Sequence, residues 1–206
     1  MKSALVLEIP TLVGRRVRLE PLSVRHVDGL VLAASEDRTT YGFTTVPPDE
    51  ISMSRHVEGL LGDHLVGLVV PFAQVDLATG RPVGMTRFLT IRTRPAEELP
   101  FAVEIGGTWL AASAQRTGHN TEAKFLLLSH AFDEWGVARV DFKTDSRNER
   151  SRRAIARVGA SFEGILRHWQ PSQVEGEENG FRDTAMFSII DSEWPTVRDS
   201  LTTKLG

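Results

Sequence analysis

The sequence predicts a mixed α/β fold, in which helices cover both faces of a mixed sheet of about seven strands. Segments with the two-residue alternation of strands outnumber segments with helical spacing. Some neighbouring strands are joined by short turns and others by helices, so hairpins occur together with crossovers and a doubly wound parallel sheet is not expected. Because no linker separates two cores, residues 1–206 are expected to form one domain.

The first half of the chain predicts one strand, two helices and a hairpin. Residues 15–22 (RRVRLEPL) alternate apolar and basic side chains, as a half-buried strand does. Ser23 and Asp49 are residue types that cap helices, and each precedes a segment with helical spacing. Two β-rich runs in 65–92 flank the turn residues 78–81, which predicts a hairpin.

The second half predicts four strands and three helices. Residues 98–110 alternate as a strand, and the apolar helix that follows is ended by Gly136. Asn148 and Gly159 are suited to begin and close a further helix. In chain order the predicted elements are strand 15–22, helix 24–34, helix 49–62, two strands in 65–92, strand 98–110, helix 121–135, strand 138–145, helix 148–159, strands 161–169 and 181–190, and helix 192–201.

Composition excludes several classes of function. The chain has 206 residues with 41% hydrophobic and 25% charged residues, which is typical of a soluble globular protein. Its formal net charge of −3 argues against nucleic acid as a partner. With no cysteine, disulfides, thiolate metal sites and a cysteine nucleophile are excluded, and no histidine shows metal-ligand spacing. We expect a cytoplasmic protein without a membrane partner, because the longest apolar run, at 65–73, is too short to span a bilayer.

The first candidate site is the start of the apolar helix after residue 118. Helix N-termini leave backbone N–H groups unpaired and carry partial positive charge, so they bind phosphate. Gly118 lacks a Cβ and would let a ligand approach the backbone. The alternative is a structural helix that is simply capped by Asn120 or Thr121. Further donors at this place are Gln115, Arg116, Thr117 and Asn120.

Glu104 is the second candidate, in the strand FAVEIGGTWL. Paired glycines weaken a strand and often mark a bulge or the approach of a ligand, and Glu104 stands next to Gly106 and Gly107. A carboxylate in an apolar strand is suited to act as a general base. The alternative is a solvated glutamate on an edge strand.

The third candidate pairs Asn148 with Ser151, where a strand passes into a helix. Residues three apart lie on one helix face, and this face would point to the end of the preceding strand, a usual place for ligands. Asn148 could equally be a plain cap and Ser151 a serine that only begins the helix. The nearby arginines are expected to form a solvated face from which one or two could reach a phosphate; they are Arg147, Arg150, Arg152, Arg153 and Arg157.

Together, these motifs resemble the GCN5-related N-acetyltransferase (GNAT) superfamily, in particular its RimJ/RimL-like branch, over nearly the whole chain. The acyl-CoA loop pattern Gln/Arg-x-x-Gly-x-Gly/Ala is similar to residues 115–120, except that Asn120 replaces a small residue. The strand motif EIG-x-x-L matches Glu104 to Leu110 in part, as Glu104-Ile105-Gly106 and Trp109-Leu110. The motifs N-x-x-S and GA-x-F-EG match residues 148–151 and 159–164.

The resemblance implies a mostly antiparallel sheet with one splayed pair of strands, and direct transfer of an acetyl group from acetyl-CoA to an amine. Glu104 would accept the amine proton, and Ser151 would serve the leaving thiolate in place of the tyrosine that many members use. Asn148 would hold the pantetheine arm. The expected acetyl-CoA contacts are Trp109, Leu110, Ala111, Gln115, Arg116, Thr117, Gly118, His119, Asn120, Thr121 and Asn148.

The acceptor stays open at the level of sequence. A protein amine, either an N-terminal α-amine or a lysine, is favoured, and the acidic loop with Glu175, Glu177 and Glu178 could attract a basic segment or be a plain solvated hairpin loop. A small amine, such as an antibiotic, polyamine or amino acid, is the alternative. An acyl-CoA-binding module without turnover is a third function. The C-terminal hairpin could pair with a second copy to give a homodimer.

Overall fold

The computed structural model describes residues 5–174 and 176–206, which form an eight-stranded sheet and five α-helices. The strands are β1 (Leu12–Val13), β2 (Val17–Pro21), β3 (Val69–Asp76), β4 (Pro82–Arg92), β5 (Ala102–Leu110), β6 (Arg139–Asp145), β7 (Ser161–Pro171) and β8 (Phe181–Ile190). The helices are α1 (Val27–Ser35), α2 (Glu50–Leu65), α3 (His119–Ser129), α4 (Glu149–Val158) and α5 (Trp194–Leu205). The predicted fold class is confirmed, and the two-residue strand β1 is the addition.

The ends of the helices depart from the prediction in ways that the backbone explains. Helix α3 begins at His119 instead of Thr121, because Gly118 adopts a φ of 96° and takes the cap position. A π-helical turn over His130–Glu134 continues it towards Gly136, whose φ is 64°. A 3₁₀ turn at Val24–His26 precedes α1. Across residues 5–174 and 176–206, no helix is both long and apolar enough to cross a membrane.

The sheet has the order β1-β2-β3-β4-β5-β6-β8-β7, and β5 with β6 is the parallel pair. Their pairing extends only from Ala102 opposite Arg139 to Glu104 opposite Asp141. Since β5 continues to Leu110 and β6 to Asp145, the two strands separate beyond that point. The predicted splayed pair is therefore present. Strand β7 is at the edge of the sheet, and its pairing with a second copy stays a prediction.

Two apolar cores hold the helices against opposite faces of the sheet. Val103 and Ile105 of β5 pack in one core with Leu127 of α3, and that core also contains α5. On the other face, Trp109 packs in a second core, together with Leu30 of α1 and the side chains of α2. The alternation of side chains along β5 therefore assigns its residues to the α3–α5 face or to the α1–α2 face.

A β-bulge in β5 lies where this strand leaves β6. The register of β4 with β5 changes by one residue between Arg87 opposite Gly106 and Met85 opposite Trp109. Gly107 adopts a φ of 56°, a left-handed conformation that glycine tolerates best. The extra residue turns Thr108 to the α3 face and keeps Trp109 on the α1–α2 face.

Glu122 connects α3 to the first strands of the sheet. This side chain is buried, and its carboxylate oxygens accept the backbone N–H groups of Arg15 at 2.9 Å, Arg16 at 2.7 Å and Val17 at 2.8 Å. A Cβ on Gly14 would stand 2.5 Å from the Glu122 carboxyl carbon, so glycine is required there. Three backbone donors therefore offset the negative charge of this carboxylate.

Glu122→Gln should destabilise the fold without changing its topology. The amide loses the charge-assisted character of three hydrogen bonds and directs an NH₂ group at backbone donors, which should lower the free energy of unfolding by about 3 kcal/mol. Urea unfolding of both proteins measures the difference. Glu58→Gln, at an exposed position of α2, is the matched control and should lie within about 0.5 kcal/mol of the parent. Equal losses in the two variants would contradict this role of Glu122.

Candidate active site

A cleft of about 710 Å³ opens where β5 and β6 separate. Its walls come from the bulged part of β5, the loop before α3, the end of β6 and the first turns of α4. Of the side chains predicted for the site, those in the lining are Trp109, Leu110, Gln115, Arg116, Asn120, Asn148 and Ser151. The remaining predicted residues adjoin the cleft through these neighbours and are not part of its lining; they are Glu104, Ala111, Thr117, Gly118, His119 and Thr121.

The N-terminus of α3 has no side-chain cap. Gly118 occupies the cap position in a left-handed conformation, and Arg116 also has a positive φ, of 63°. The first N–H groups of the helix therefore lack intrahelical partners and point out of the helix end. This arrangement differs from the ordinary capped helix that was the alternative, and it suits an anion.

Two side chains at the start of α3, those of Thr117 and His119, hold the preceding loop in place. His119 is buried, and its ring nitrogens contact Thr117 Oγ1 at 2.6 Å and Asp76 Oδ2 at 3.1 Å. Thr117 donates its hydroxyl to the Ala114 carbonyl at 2.6 Å. These two side chains thus hold the loop to the β3–β4 hairpin, so that only their backbone groups remain for a ligand.

Gln115 and Tyr41 fix the end of β5. The carbonyl oxygen of Leu110 accepts Gln115 Nε2 at 2.9 Å and the Tyr41 hydroxyl at 3.2 Å. The N–H of Ala111 is donated to the Val83 carbonyl at 2.7 Å. A ligand that pairs with this strand edge, as predicted, would have to use other backbone groups of Trp109 and Leu110.

Asn148 and Ser151 meet at the start of α4. Asn148 is the cap residue, and its Oδ1 accepts the N–H of Ser151 at 3.0 Å. Both side chains also line the cleft, so Asn148 combines the two roles that the sequence left open. The Ser151 hydroxyl makes no hydrogen bond with any described residue and is free to act on a ligand.

Glu104 is buried in a central strand, so the alternative of a solvated edge-strand glutamate is wrong. Its Oε2 accepts the Thr90 hydroxyl at 3.0 Å and forms an ion pair with Lys143 Nζ at 3.0 Å. Its Oε1 receives no hydrogen bond from the described residues and lies 3.0 Å from where a Cβ on Gly106 would stand. Since Gly106 lines the cleft, the unoccupied oxygen is beside it.

The sequence model for the family described as "Acetyltransferase (GNAT) domain" matches residues 16–161. The chain belongs to the GNAT acetyltransferase family. A crystal structure of a GCN5-related N-acetyltransferase from Brucella melitensis is 32% identical, with a TM-score of 0.83 over 98% of this chain and 87% of that chain. No sequence among the curated proteins matches the chain. The predicted family and the assignment as an acetyltransferase are confirmed.

Two more distant GNAT structures share the fold. RimJ of Mycobacterium smegmatis, in complex with CoA-disulfide, is 23% identical, with a TM-score of 0.79 and coverage of 95% of both chains. Ribosomal-protein-S5-alanine acetyltransferase from Vibrio fischeri is 16% identical, with a TM-score of 0.69 over 90% of this chain and 98% of that chain. The fold thus agrees with the RimJ/RimL-like resemblance of the sequence.

The arginines near this GNAT cleft divide into paired and unpaired groups. Arg147 bonds to Asp145 and to Glu177 at 2.7 Å, and Arg150 bonds to Gln115 at 3.2 Å. Arg153 pairs with Glu149 along α4, and Arg152 covers the ring of Phe162. Arg116 and Arg157 line the cleft and have no ion-pair partner among the described residues, so these two remain for a phosphate.

Lys124 is a cleft residue that sequence reasoning missed. It is buried on α3 and donates to Thr108 Oγ1 at 2.6 Å and to Thr86 Oγ1 at 3.2 Å, below the β5 bulge. Burial without a carboxylate partner lowers the pKa of its ammonium from 10.5 to about 7. Its place one helical turn before Leu127 and Leu128, on the apolar face, was the signal that could have found it.

Replacing Lys124 by Met should change how stability depends on pH. Between about pH 7 and 10.5 the unfolded chain holds a proton that the buried amine has released, so the parent gains stability as pH rises through this interval. Relative to Lys124→Met, its free energy of unfolding should rise by up to about 1.4 kcal/mol per pH unit. Urea unfolding at pH 6 to 9.5 measures this, with Lys204→Met as an exposed-lysine control. Parallel curves for the parent and Lys124→Met would refute the lowered pKa.

Proposed function

We propose that this enzyme transfers an acetyl group directly from acetyl-CoA to a primary amine, and that the acceptor is a protein amine, either an N-terminal α-amine or a lysine. The cleft between β5 and β6 carries the proposal. An uncapped helix N-terminus and a free serine hydroxyl meet in this opening, next to a buried carboxylate. Because the chain has no cysteine, an acyl-cysteine intermediate is excluded, which agrees with direct transfer between two bound substrates.

The donor side of the cleft fits acetyl-CoA. The unpaired N–H groups at the start of α3 would hold the pyrophosphate, and Arg116 and Arg157 would add positive charge. The amide Nδ2 of Asn148 is free of the capping bond and would hold the pantetheine arm. The separated edge of β5 at Trp109 and Leu110 would pair with its amides, as a neighbouring strand would.

Two side chains would move or hold the protons of the reaction. Glu104 Oε1 would accept the proton of the acceptor amine, directly or through a water, while Lys143 and Thr90 keep the other carboxylate oxygen in place. The Ser151 hydroxyl would donate a hydrogen bond to the sulfur as the thiolate forms. A serine is too weak an acid to protonate a thiolate fully, so its contribution is electrostatic.

The protein acceptor is supported by likeness rather than by a specific pocket. The fold is shared with RimJ and with a ribosomal-protein acetyltransferase. The acidic β7–β8 loop supports it less than predicted, because Glu177 is bound by Arg147 and by Ser172 at 2.7 Å. Glu178 remains exposed, and Glu175 lies outside the described residues.

Labelled acetyl-CoA with a cell extract, separated into protein and small-molecule fractions, tests the acceptor class. Label in protein is expected, and mass spectrometry then distinguishes an α-amine from a lysine. Label confined to the small-molecule fraction would assign the enzyme to metabolite or drug acetylation instead. Binding of acetyl-CoA without label in either fraction would favour a module without turnover and contradict the proposal.

Glu104→Gln should lower kcat by about 10²-fold or more, because the amide cannot accept the amine proton. Ser151→Ala should lower kcat by about tenfold, since only a hydrogen bond to the developing thiolate is lost. Acetyl-CoA affinity, measured by calorimetry, should stay close to that of the parent in both variants. Glu134→Gln, an exposed carboxylate, is the control and should retain full activity. Full activity in Glu104→Gln would exclude Glu104 as the base.

A further inference from the structure

Two buried N–H donors on the α1–α2 face of the sheet have no hydrogen-bond partner among the described residues. They are Nε of Arg87 in β4 and Nε1 of Trp109 in β5. Leaving such a donor unpaired costs about 1–3 kcal/mol each, so folded proteins rarely retain one without a use. Neither group takes part in the acetyl transfer described above.

Both donors adjoin the same part of the cleft wall. Arg87 lies opposite Gly106, and Trp109 lies opposite Met85, two residues along β4 from Arg87. The two side chains are thus diagonal neighbours on one face of the sheet. The guanidinium covers Gly107, where a Cβ would stand 2.6 Å from Arg87 Cζ and 2.8 Å from its Nε. Gly107 and Trp109 both line the cleft, and Arg87, which is outside the lining, lies directly against Gly107.

Arg87 carries a half-buried positive charge that no described carboxylate contacts directly. Burial lowers the pKa of Arg87, and Glu104 and Asp63 offset this only through longer-range attraction, because Arg87 has no ion-pair partner among the described residues. Glu104 is already paired with Lys143 at 3.0 Å. Arg182, which is also buried, is attracted to Glu104 as well, although Asp145 attracts it more strongly. A further anion would therefore be stabilised here.

Glu104, the proposed base, marks where the amine of the acceptor would be, and Arg87 marks where its anionic group would be. Oε1 of Glu104 lies beside Gly106, and the guanidinium covers Gly107, the next residue along β5. Gly106 and Gly107 are consecutive in β5, so the base and the guanidinium border neighbouring parts of one strand, and Glu104 is near enough to attract Arg87 electrostatically. The pyrophosphate of acetyl-CoA would be at the start of α3, beyond the end of β5, and so would not reach Arg87.

We infer that Arg87 and Trp109 bind a carboxylate of the acceptor, and that the acceptor is an amine with a carboxylate a few bonds from its nitrogen. A guanidinium presents parallel donors that match a carboxylate, and the indole N–H supplies another donor. In keeping with the proposed protein acceptor, the carboxylate would belong to an acidic residue at the N-terminus of a polypeptide. This inference rests on the proposed function, since it assigns the acceptor of the same transfer.

Esterification of the acceptors tests the inference without knowing the substrate. Extract fractions of small molecules and of peptides are each divided, and one half has its carboxyl groups converted to methyl esters before labelled acetyl-CoA and enzyme are added. With the parent, esterification should reduce the label at least tenfold, corresponding to about 1.4 kcal/mol. The loss is expected in the peptide fraction, whereas a loss confined to the small-molecule fraction would assign the carboxylate to free amino acids and contradict the inference.

Variants of Arg87 connect the effect to this side chain. Arg87→Gln should label untreated and esterified fractions equally weakly, whereas Arg87→Lys, which keeps the charge, should restore part of the preference for free carboxylates. Trp109→Phe removes only the N–H and should reduce the preference by a smaller factor. Arg94→Gln, on the exposed loop after β4, is the matched control and should behave as the parent. Acetyl-CoA binding by each variant confirms that it is folded.

Three further outcomes would overturn the inference. Equal labelling of untreated and esterified fractions by the parent would show that no carboxylate is recognised, while the proposed acetyl transfer would stand. A preference for untreated fractions that persists unchanged in Arg87→Gln would assign the recognition to other residues. Label in neither untreated fraction would refute the proposed function, and the inference would fail with it.

Discussion

The short parallel contact between β5 and β6 is the constraint on which the rest of the structure depends. Parallel strands cannot be joined by a tight turn, so a crossover must connect them, and here α3 is that crossover. Its N-terminus consequently follows the end of β5 at Leu110, where the two strands have already separated. One feature of topology thus provides both a gap in the sheet and, at the mouth of the gap, a helix end at which an anion would bind.

The bulge at Gly107 divides the chemistry between the two faces of the sheet. Glu104 comes before the bulge and belongs with Arg87 on the α1–α2 face, whereas Thr108 is turned towards Lys124 on the α3 face. Polar side chains therefore face both sides of this central strand. The cost is a set of buried charges. Lys143 offsets Glu104, while Lys124 is only hydrogen-bonded and loses part of its affinity for a proton.

Much of the fold was predictable because its signals are local. Caps such as Asp49, whose side chain accepts the N–H of Ser52 at 2.8 Å, and the positive φ of Gly159 depend on residues within one turn. The candidate site was predictable to the extent that it uses local motifs, as the loop before α3 and the pair Asn148 and Ser151 do. The contact of His119 was not predictable, because its partner Asp76 is far away in the chain and no sequence spacing indicates that contact.

The sequence by itself determined the order of the elements, the absence of thiol chemistry and the family, since periodicity, caps, composition and ordered motifs are properties of neighbouring residues. Only the tertiary structure decided which charges are buried and with what partners. Glu104 meets Lys143, Glu122 meets the start of β2, and Arg87 meets Gly107 across strand pairings. Burial and ion pairing depend on atoms brought together from distant positions, and the same glutamate would be a solvated surface charge if its strand lay at the edge of the sheet.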